Sequence, residues 1–153
     1  MALRSIRKEG DEVLRKESKP VTEFNRRLEM LIDDMFETMY DANGCGLAAV
    51  QVGVLKQVVV IDIDEPDGKL VMINPEILEM EGEDCGPEGC LSIPGKRGNV
   101  VRPTKITVRA LDRDGQPFTR VAEGFLARCM CHEIDHLHGI LYADKVVSWE
   151  TND

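Results

Sequence analysis

The sequence predicts an α+β fold: antiparallel β-sheets packed around a C-terminal helix that carries a His-Glu-x-x-His motif, with an amphipathic helix near the N-terminus. Three observations carry this reading. Apolar residues recur at helical spacing between positions 24 and 39, short alternating or β-branched runs crowd positions 57 to 122, and a helical pattern returns from about 123 to 138. The 153 residues, 42% apolar and 31% charged, suit a single domain over 1–153 with its own core; no repeat, low-complexity tract or linker divides them.

In chain order, Phe24, Leu28, Leu31, Met35 and Met39 form the stripe of a helix over residues 21–42, with Thr22 or Asn25 as its cap. Arg26, Arg27, Glu29, Asp33, Asp34 and Glu37 read as its solvated face. The run Asp41-Ala42-Asn43-Gly44-Cys45-Gly46 ends it, since asparagine and glycine tolerate positive φ. Residues 57–63 (QVVVIDI), 70–73 and 77–80 read as strands, the first two separated by turn chemistry in Asp64-Glu65-Pro66-Asp67-Gly68. Residues 105–111 (KITVRAL) meet 117–122 through Asp112-Arg113-Asp114-Gly115, a hairpin signal. A helix follows from about Glu123 to His138, closed by Gly139.

A net charge of −9 opposes a broad grip on nucleic acid or anionic lipid, both of which need clustered Lys and Arg. The N-terminal MALRSIRKEGDEVLRKE lacks the apolar core of a signal peptide, and no apolar run reaches the roughly 18 residues of a membrane span, so a cytoplasmic location is expected. Five cysteines, an odd number, argue for free thiols or metal ligation over a disulfide framework; Cys129, in an apolar helical run, reads as core.

On a helix, His132 and His136 lie four positions apart and share a face, so they can hold one metal ion, with Glu133 beside it as general base for metal-assisted hydrolysis. A catalytic ion normally has three protein ligands and an open position. One candidate third ligand is Cys90 in Glu88-Gly89-Cys90-Leu91-Ser92-Ile93-Pro94, a segment whose glycine and proline suit an irregular loop; the alternative is an inert loop thiol. A second unusual loop, Gly44 to Gln51, holds one polar side chain in its apolar part: Gln51 either caps the backbone locally or donates its amide into a site.

Taken in this order and at these separations, GCGLAAVQ, EGCLS and HEIDH resemble the three motifs of bacterial peptide deformylases, and the resemblance runs from VLRKESKPVTEF to GILYADKV. It implies removal of the formyl group from the N-terminal formylmethionine of new polypeptides, with release of formate. It implies Cys90, His132 and His136 as metal ligands, Glu133 as general base and then acid, and an oxyanion held by the Gln51 amide and the Leu91 N–H. The cofactor implied is one divalent ion, Fe²⁺ in preference, with Zn²⁺, Ni²⁺ or Co²⁺ able to occupy the same ligands; the partners are N-formylmethionyl nascent chains. A methionine pocket is expected from Phe125, the aliphatic stem of Arg128 and Cys129 facing Gly44, Cys45 and Gly46, with Glu88, Gly89 and Arg97 also among the substrate-binding residues. Asp135 is expected either to support the metal ligands or to make a structural salt bridge, with Arg102 a candidate partner, and His138 to be exposed.

Two positions depart from the usual pattern: Val50 where many members have proline, and Cys131 where glutamine is common. The short stretch after His136 leaves no room for the longer C-terminal helix of some members, so only transient ribosome proximity is expected. Two rivals predict different ligands: a closed zinc module using Cys85, Cys90, Cys131 and His132, and a zinc endopeptidase drawing a third ligand from Asp144, Glu150 or Asp153.

Overall fold

The structure, a computed structural model, describes residues 2–150. Helix α1 spans Arg26–Asp41, and Asn25 rather than Thr22 caps it, its side chain accepting the Leu28 N–H at 3.1 Å. Phe24 therefore lies outside the helix, because the extended backbone of the cap takes it off the stripe; its ring instead covers Gly115 in a distant turn. Strands follow as β1 (Gly46–Ala48), β2 (Val58–Asp62), β3 (Lys69–Glu81), β4 (Asp84–Cys90), β5 (Ile93–Arg102), β6 (Lys105–Leu111) and β7 (Pro117–Glu123). Helix α2 (Gly124–His136) and β8 (Val146–Trp149) complete the α-helices and strands among the described residues, alongside short 3-10 helices at Glu12–Arg15, Ala49–Val52 and Tyr142–Asp144.

Two antiparallel sheets result, one of five strands in the order β1-β2-β3-β6-β7 and one of three in the order β4-β5-β8. The larger sheet is covered on both faces. Val58, Val60 and Ile73 pack under Leu28, Leu31, Ile32, Met35 and Met39 of α1, while Val59, Ile61 and Met72 pack against Ala127, Met130 and Ile134 of α2. Double burial is why β2 reads as an unbroken apolar run, each Val or Ile side chain contributing about 1.5 to 3 kcal/mol. The other side of α2 meets the small sheet, so the helix is held between the two.

The structure corrects the sequence reading in two places. Residues 70–73 and 77–80 belong to one strand, β3, with a bulge at Asn74-Pro75: Asn74 takes φ 53°, and the register shifts between Ile73 and Glu76. Asn74 makes the bulge useful, its side chain accepting from the Val21 N–H (2.8 Å) and donating to the Val21 carbonyl (2.9 Å). The expected loop around Cys90 is instead the β4–β5 hairpin, in which Cys90 pairs with Ile93 across a tight connection. Its glycines and prolines hide the alternation, and Pro87 is tolerated because β4 is an edge strand.

Helix α2 ends at His136, two residues short of the predicted His138, with Leu137 as its C-cap; a turn then runs to Gly139, which takes the expected left-handed φ (+73°), and a Cβ there would meet the Arg15 carbonyl oxygen at 2.5 Å. No helix among the described residues is long and apolar enough to cross a membrane.

Candidate metal centre

Helical periodicity puts His132 and His136 side by side on α2, ring centroids 5.0 Å apart. The β4–β5 turn brings Cys90 to the same point, its Sγ 3.4 Å from His136 Nε2. One donor atom from each of these three residues lies within 4.8 Å of the other two. Ligands bound at 2.0 to 2.3 Å around a tetrahedral ion stand roughly 3.3 to 3.8 Å apart, so the ion's arrival needs only a small contraction. The neighbouring Glu133 Oε1 is buried without a protein partner, as an oxygen reserved for water or substrate would be. The donor set and its surroundings fit a divalent ion.

Glu88 fixes the first histidine. Its Oε1 lies 2.9 Å from His132 Nδ1, and since a carboxylate only accepts, Nδ1 carries the proton and Nε2 presents its lone pair to the site. Arg102 grips the same carboxylate with Nε (2.9 Å) and Nη2 (3.0 Å), and Arg128 adds Nη1 at 2.8 Å. Burial works against this charge, but the hydrogen bonds from His132 and Arg102 prevail and hold the Glu88 carboxyl down to about 2. Arg102 also donates to Asp135 at 2.7 Å, the bridge anticipated from sequence, and Lys145 reaches Asp135 at 3.0 Å.

Glu133 occupies the opposite condition. It is 4% exposed, and burial pushes its carboxyl up to about 7. A Cβ on Gly46 would lie 2.7 Å from Glu133 Oε2, so glycine at the start of β1 is what leaves this carboxylate its place. Burial pulls the His136 imidazole well below its ordinary value.

Both readings of Gln51 hold at once. Its Oε1 accepts the Ala48 N–H at 2.9 Å, a local cap, and this turns Nε2 inward to Ser92 Oγ (3.1 Å) and Cys90 Sγ (3.7 Å). Leu91 lies in the β4–β5 turn, its side chain against Gly44, where a Cβ would come within 2.6 Å of Leu91 Cδ1.

Gln51, Cys90, His132 and Glu133 border a cleft of about 660 Å³, which Gly44, Cys45, Gly46, Gly89, Leu91 and Arg97 also line. Arg97 is largely exposed and 3.8 Å from Glu150. A smaller recess of about 80 Å³ opens between Cys45, Glu88, Gly89, Phe125, Arg128 and Cys129. Phe125 stands at its rim, 53% exposed. Arg128 borders it too, but its guanidinium turns inward to the carbonyls of Asp84 (2.8 Å) and Val100 (2.9 Å) as well as to Glu88. Cys129 is core as expected, yet its sulfur touches that of Cys45 at 3.6 Å.

Among the described residues the rival ligand sets are not assembled. Cys85 is exposed, and Cys131 packs in the core beneath the large sheet, where burial pushes its thiol up to about 11. Asp144 is committed to Arg15, Glu150 lies beside Arg97, and Asp153 falls outside the described residues. His138 is exposed and pairs with Glu17. Sequence reasoning missed the inward roles of Arg102 and Arg128. A period of two along β5 would have placed Arg102 on the buried face with Val100, had the strand been legible.

Comparison with known proteins agrees with this geometry. The family model described as polypeptide deformylase matches residues 3–152. A peptide deformylase of Caldanaerobacter subterraneus is 58% identical over 147 residues, covering 96% of this chain and 91% of the relative. Peptide deformylase 1 of Clostridium acetobutylicum is 55% identical, covering 99% and 100% respectively. Among solved structures, a peptide deformylase from Legionella pneumophila superposes with a TM-score of 0.91 at 51% identity, covering 94% of this chain and 86% of the other. One from Synechococcus elongatus in complex with actinonin gives 0.89 at 46% identity, covering 92% and 77%. With its three motifs converging on one cleft and its whole fold shared with these relatives, the chain belongs to the polypeptide deformylase family.

Proposed function

We propose that this chain is a metal-dependent hydrolase that removes the formyl group from formylmethionyl peptides, with Cys90, His132 and His136 holding the ion and Glu133 moving the protons. The observation that carries the reading is the convergence of one thiol, two imidazoles, a buried carboxyl and an inward-turned amide on a single cleft. When bound, the ion supplies Lewis acidity that lowers the pKa of an attacking water toward about 7. Glu133 Oε2, 4.0 Å from His132 Nε2, is placed to accept that water's proton and then pass it to the amine nitrogen as the C–N bond breaks, leaving formate and a free amino terminus. Charge gathering on the formyl oxygen meets the Gln51 Nε2 donors and the Leu91 N–H, one preorganised donor being worth roughly 2.7 to 4 kcal/mol. Ala48 fixes the Gln51 carbonyl end and so keeps Nε2 turned to the cleft, where the formyl oxygen would replace the long contact to Cys90 Sγ.

The methionine side chain is assigned to the recess between Cys45, Phe125 and Cys129, and the peptide to the open cleft past Gly44, Gly46, Gly89 and Arg97. Glu88 and Arg128 serve by orienting His132 rather than by contacting substrate through their charges. The native ion is assigned as Fe²⁺ on the family resemblance, and the thiolate–imidazole donor set equally accepts Zn²⁺, Ni²⁺ or Co²⁺. The substrate places the enzyme in the cytoplasm, in transient proximity to ribosomes, and the net charge of −9 favours no direct nucleic-acid or membrane contact.

Formate release from formyl-Met-Ala-Ser by anaerobically purified protein, with its metal content measured, tests the assignment. Glu133→Ala is expected to keep the ion and abolish turnover. Full activity and full metal content in Cys90→Ser would overturn the ligand set.

A further inference from the structure

Two thiols at the edge of the cleft have no part in the proposed chemistry. Cys45 directly precedes β1 and Cys129 lies on α2, 84 positions away in sequence, yet packing of β1 against the helix brings their sulfurs to 3.6 Å. Both are free thiols. They differ in access: Cys45 is half-buried and lines both the cleft and the recess, while Cys129 is 5% exposed and borders only the recess. A small solute entering the cleft therefore meets one sulfur first and finds the second within reach of it. That is the disposition of an attacking thiol and its resolving partner.

We propose that Cys45 and Cys129 form a peroxide-responsive pair that closes to a disulfide across the wall of the recess. In the first step the Cys45 sulfur attacks one oxygen of a hydroperoxide; an S–O bond forms, the O–O bond breaks, and the other oxygen leaves as water or alcohol with the thiol proton. In the second, the Cys129 sulfur attacks the Cys45 sulfur; the S–S bond forms, the S–O bond breaks, and hydroxyl leaves as water with the proton of Cys129. The two thiols lose two electrons together and the peroxide gains them. Closing from 3.6 Å to the roughly 2.05 Å of a disulfide is a movement of the size that side-chain rotation supplies.

The other cysteines are excluded by place. Cys85 is exposed on edge strand β4, Cys90 faces His136, and Cys131 points into the core under the large sheet. The bond ties the segment before β1 to α2 and removes both thiols from the recess; a cytosolic thiol pool returns it to the reduced state.

The test is peptide mapping of the zinc-loaded protein, chosen because zinc has no redox chemistry of its own, after hydrogen peroxide and alkylation of the remaining thiols. The expected product is a Cys45–Cys129 cross-linked peptide lighter by two hydrogens, in which both residues alkylate after dithiothreitol. Cys129 and Cys131 share one tryptic peptide, so variants assign the partner: the cross-link disappears in Cys45→Val and Cys129→Ala and persists in Cys131→Ala. In Cys129→Ala, dimedone is expected to trap Cys45 as the sulfenic acid. Recovery of Cys45 and Cys129 as free thiols from a sample in which Cys85 is oxidised would overturn the proposal, as would a cross-link that survives Cys129→Ala. The readout does not depend on deformylation, so its failure and that of the functional reading are distinguishable.

Discussion

Replacing Glu88 by glutamine isolates what the buried carboxylate does for the metal centre. The shape is kept, but the two oxygens are not equivalent to an amide. Oε2 serves Arg102 Nε and Arg128 Nη1, and Oε1 serves Arg102 Nη2 and His132 Nδ1. If the amide oxygen stays with the two arginines, the NH₂ faces His132 Nδ1, which must then accept; the imidazole proton moves to Nε2, and the nitrogen meant for the ion is blocked. The opposite flip saves the imidazole and sets NH₂ against Arg102 Nε and Arg128 Nη1. Loss of such a partner to a ligating histidine typically costs about 10- to 100-fold in metal affinity, or about 1.4 to 2.7 kcal/mol. The fold suffers as well. Breaking a buried ion pair costs about 3 to 5 kcal/mol, but Arg102 keeps Asp135 and Arg128 keeps three carbonyls. The low end applies, about 3 kcal/mol and roughly 6 to 12 °C in Tm for a chain of this size. Chelator competition with zinc and thermal unfolding measure the two effects separately. A Glu88→Gln protein that binds zinc within twofold of the parent would refute the tautomer argument even if it melted early.

Three further outcomes follow from the same geometry. Gln51→Ala should lower kcat about 10²- to 10³-fold with metal content unchanged, since an oxyanion donor is lost and no ligand is; a change confined to KM would remove Gln51 from that role. Gly46→Ala should displace Glu133 by its new methyl group and reduce kcat about 10²-fold, and parent-level turnover would show that the carboxylate finds another place. The iron-loaded protein should lose activity in air while the zinc-loaded protein keeps it, because a thiolate beside redox-active iron is open to oxidation; equal persistence of the two forms without metal exchange would contradict this.

The helical parts of the site were legible because their chemistry repeats at the helical period. His132, Glu133 and His136 announce themselves by spacing alone, and Gly139 by its place after the last turn. The β4–β5 hairpin was not, since Gly86, Pro87, Gly89, Pro94 and Gly95 interrupt any alternation of apolar and polar residues. With the hairpin went Arg102 and Arg128, whose burial depends on partners from three different elements and leaves no local trace. Gly46 is the instructive intermediate. A glycine in a short motif suggested close approach in general terms, but only the fold identifies Glu133 as the group that approaches.

Charge explains why so polar a cluster can be buried at all. Glu88 and Asp135 are matched by Arg102, Arg128 and Lys145, which ties α2 to the small sheet and leaves those anions without demand on the cleft. Cys90, in the thiolate form a ligand takes, and Glu133 are the two anionic groups at the centre that no arginine or lysine reaches among the described residues. A divalent ion held by Cys90, His132 and His136, as proposed, would supply the two missing charges. Without it, burial pushes the Glu133 carboxyl up to about 7, so the protonated and ionised forms are both within reach at neutral pH. A nearby dication favours the carboxylate form, so on the proposed assignment the ion that would activate water would also ready Glu133 to take its proton. The arginines are engaged elsewhere, because Glu88 and Asp135 already claim them; the same pairing that orients His132 leaves Glu133 free of any ion pair with arginine or lysine among the described residues.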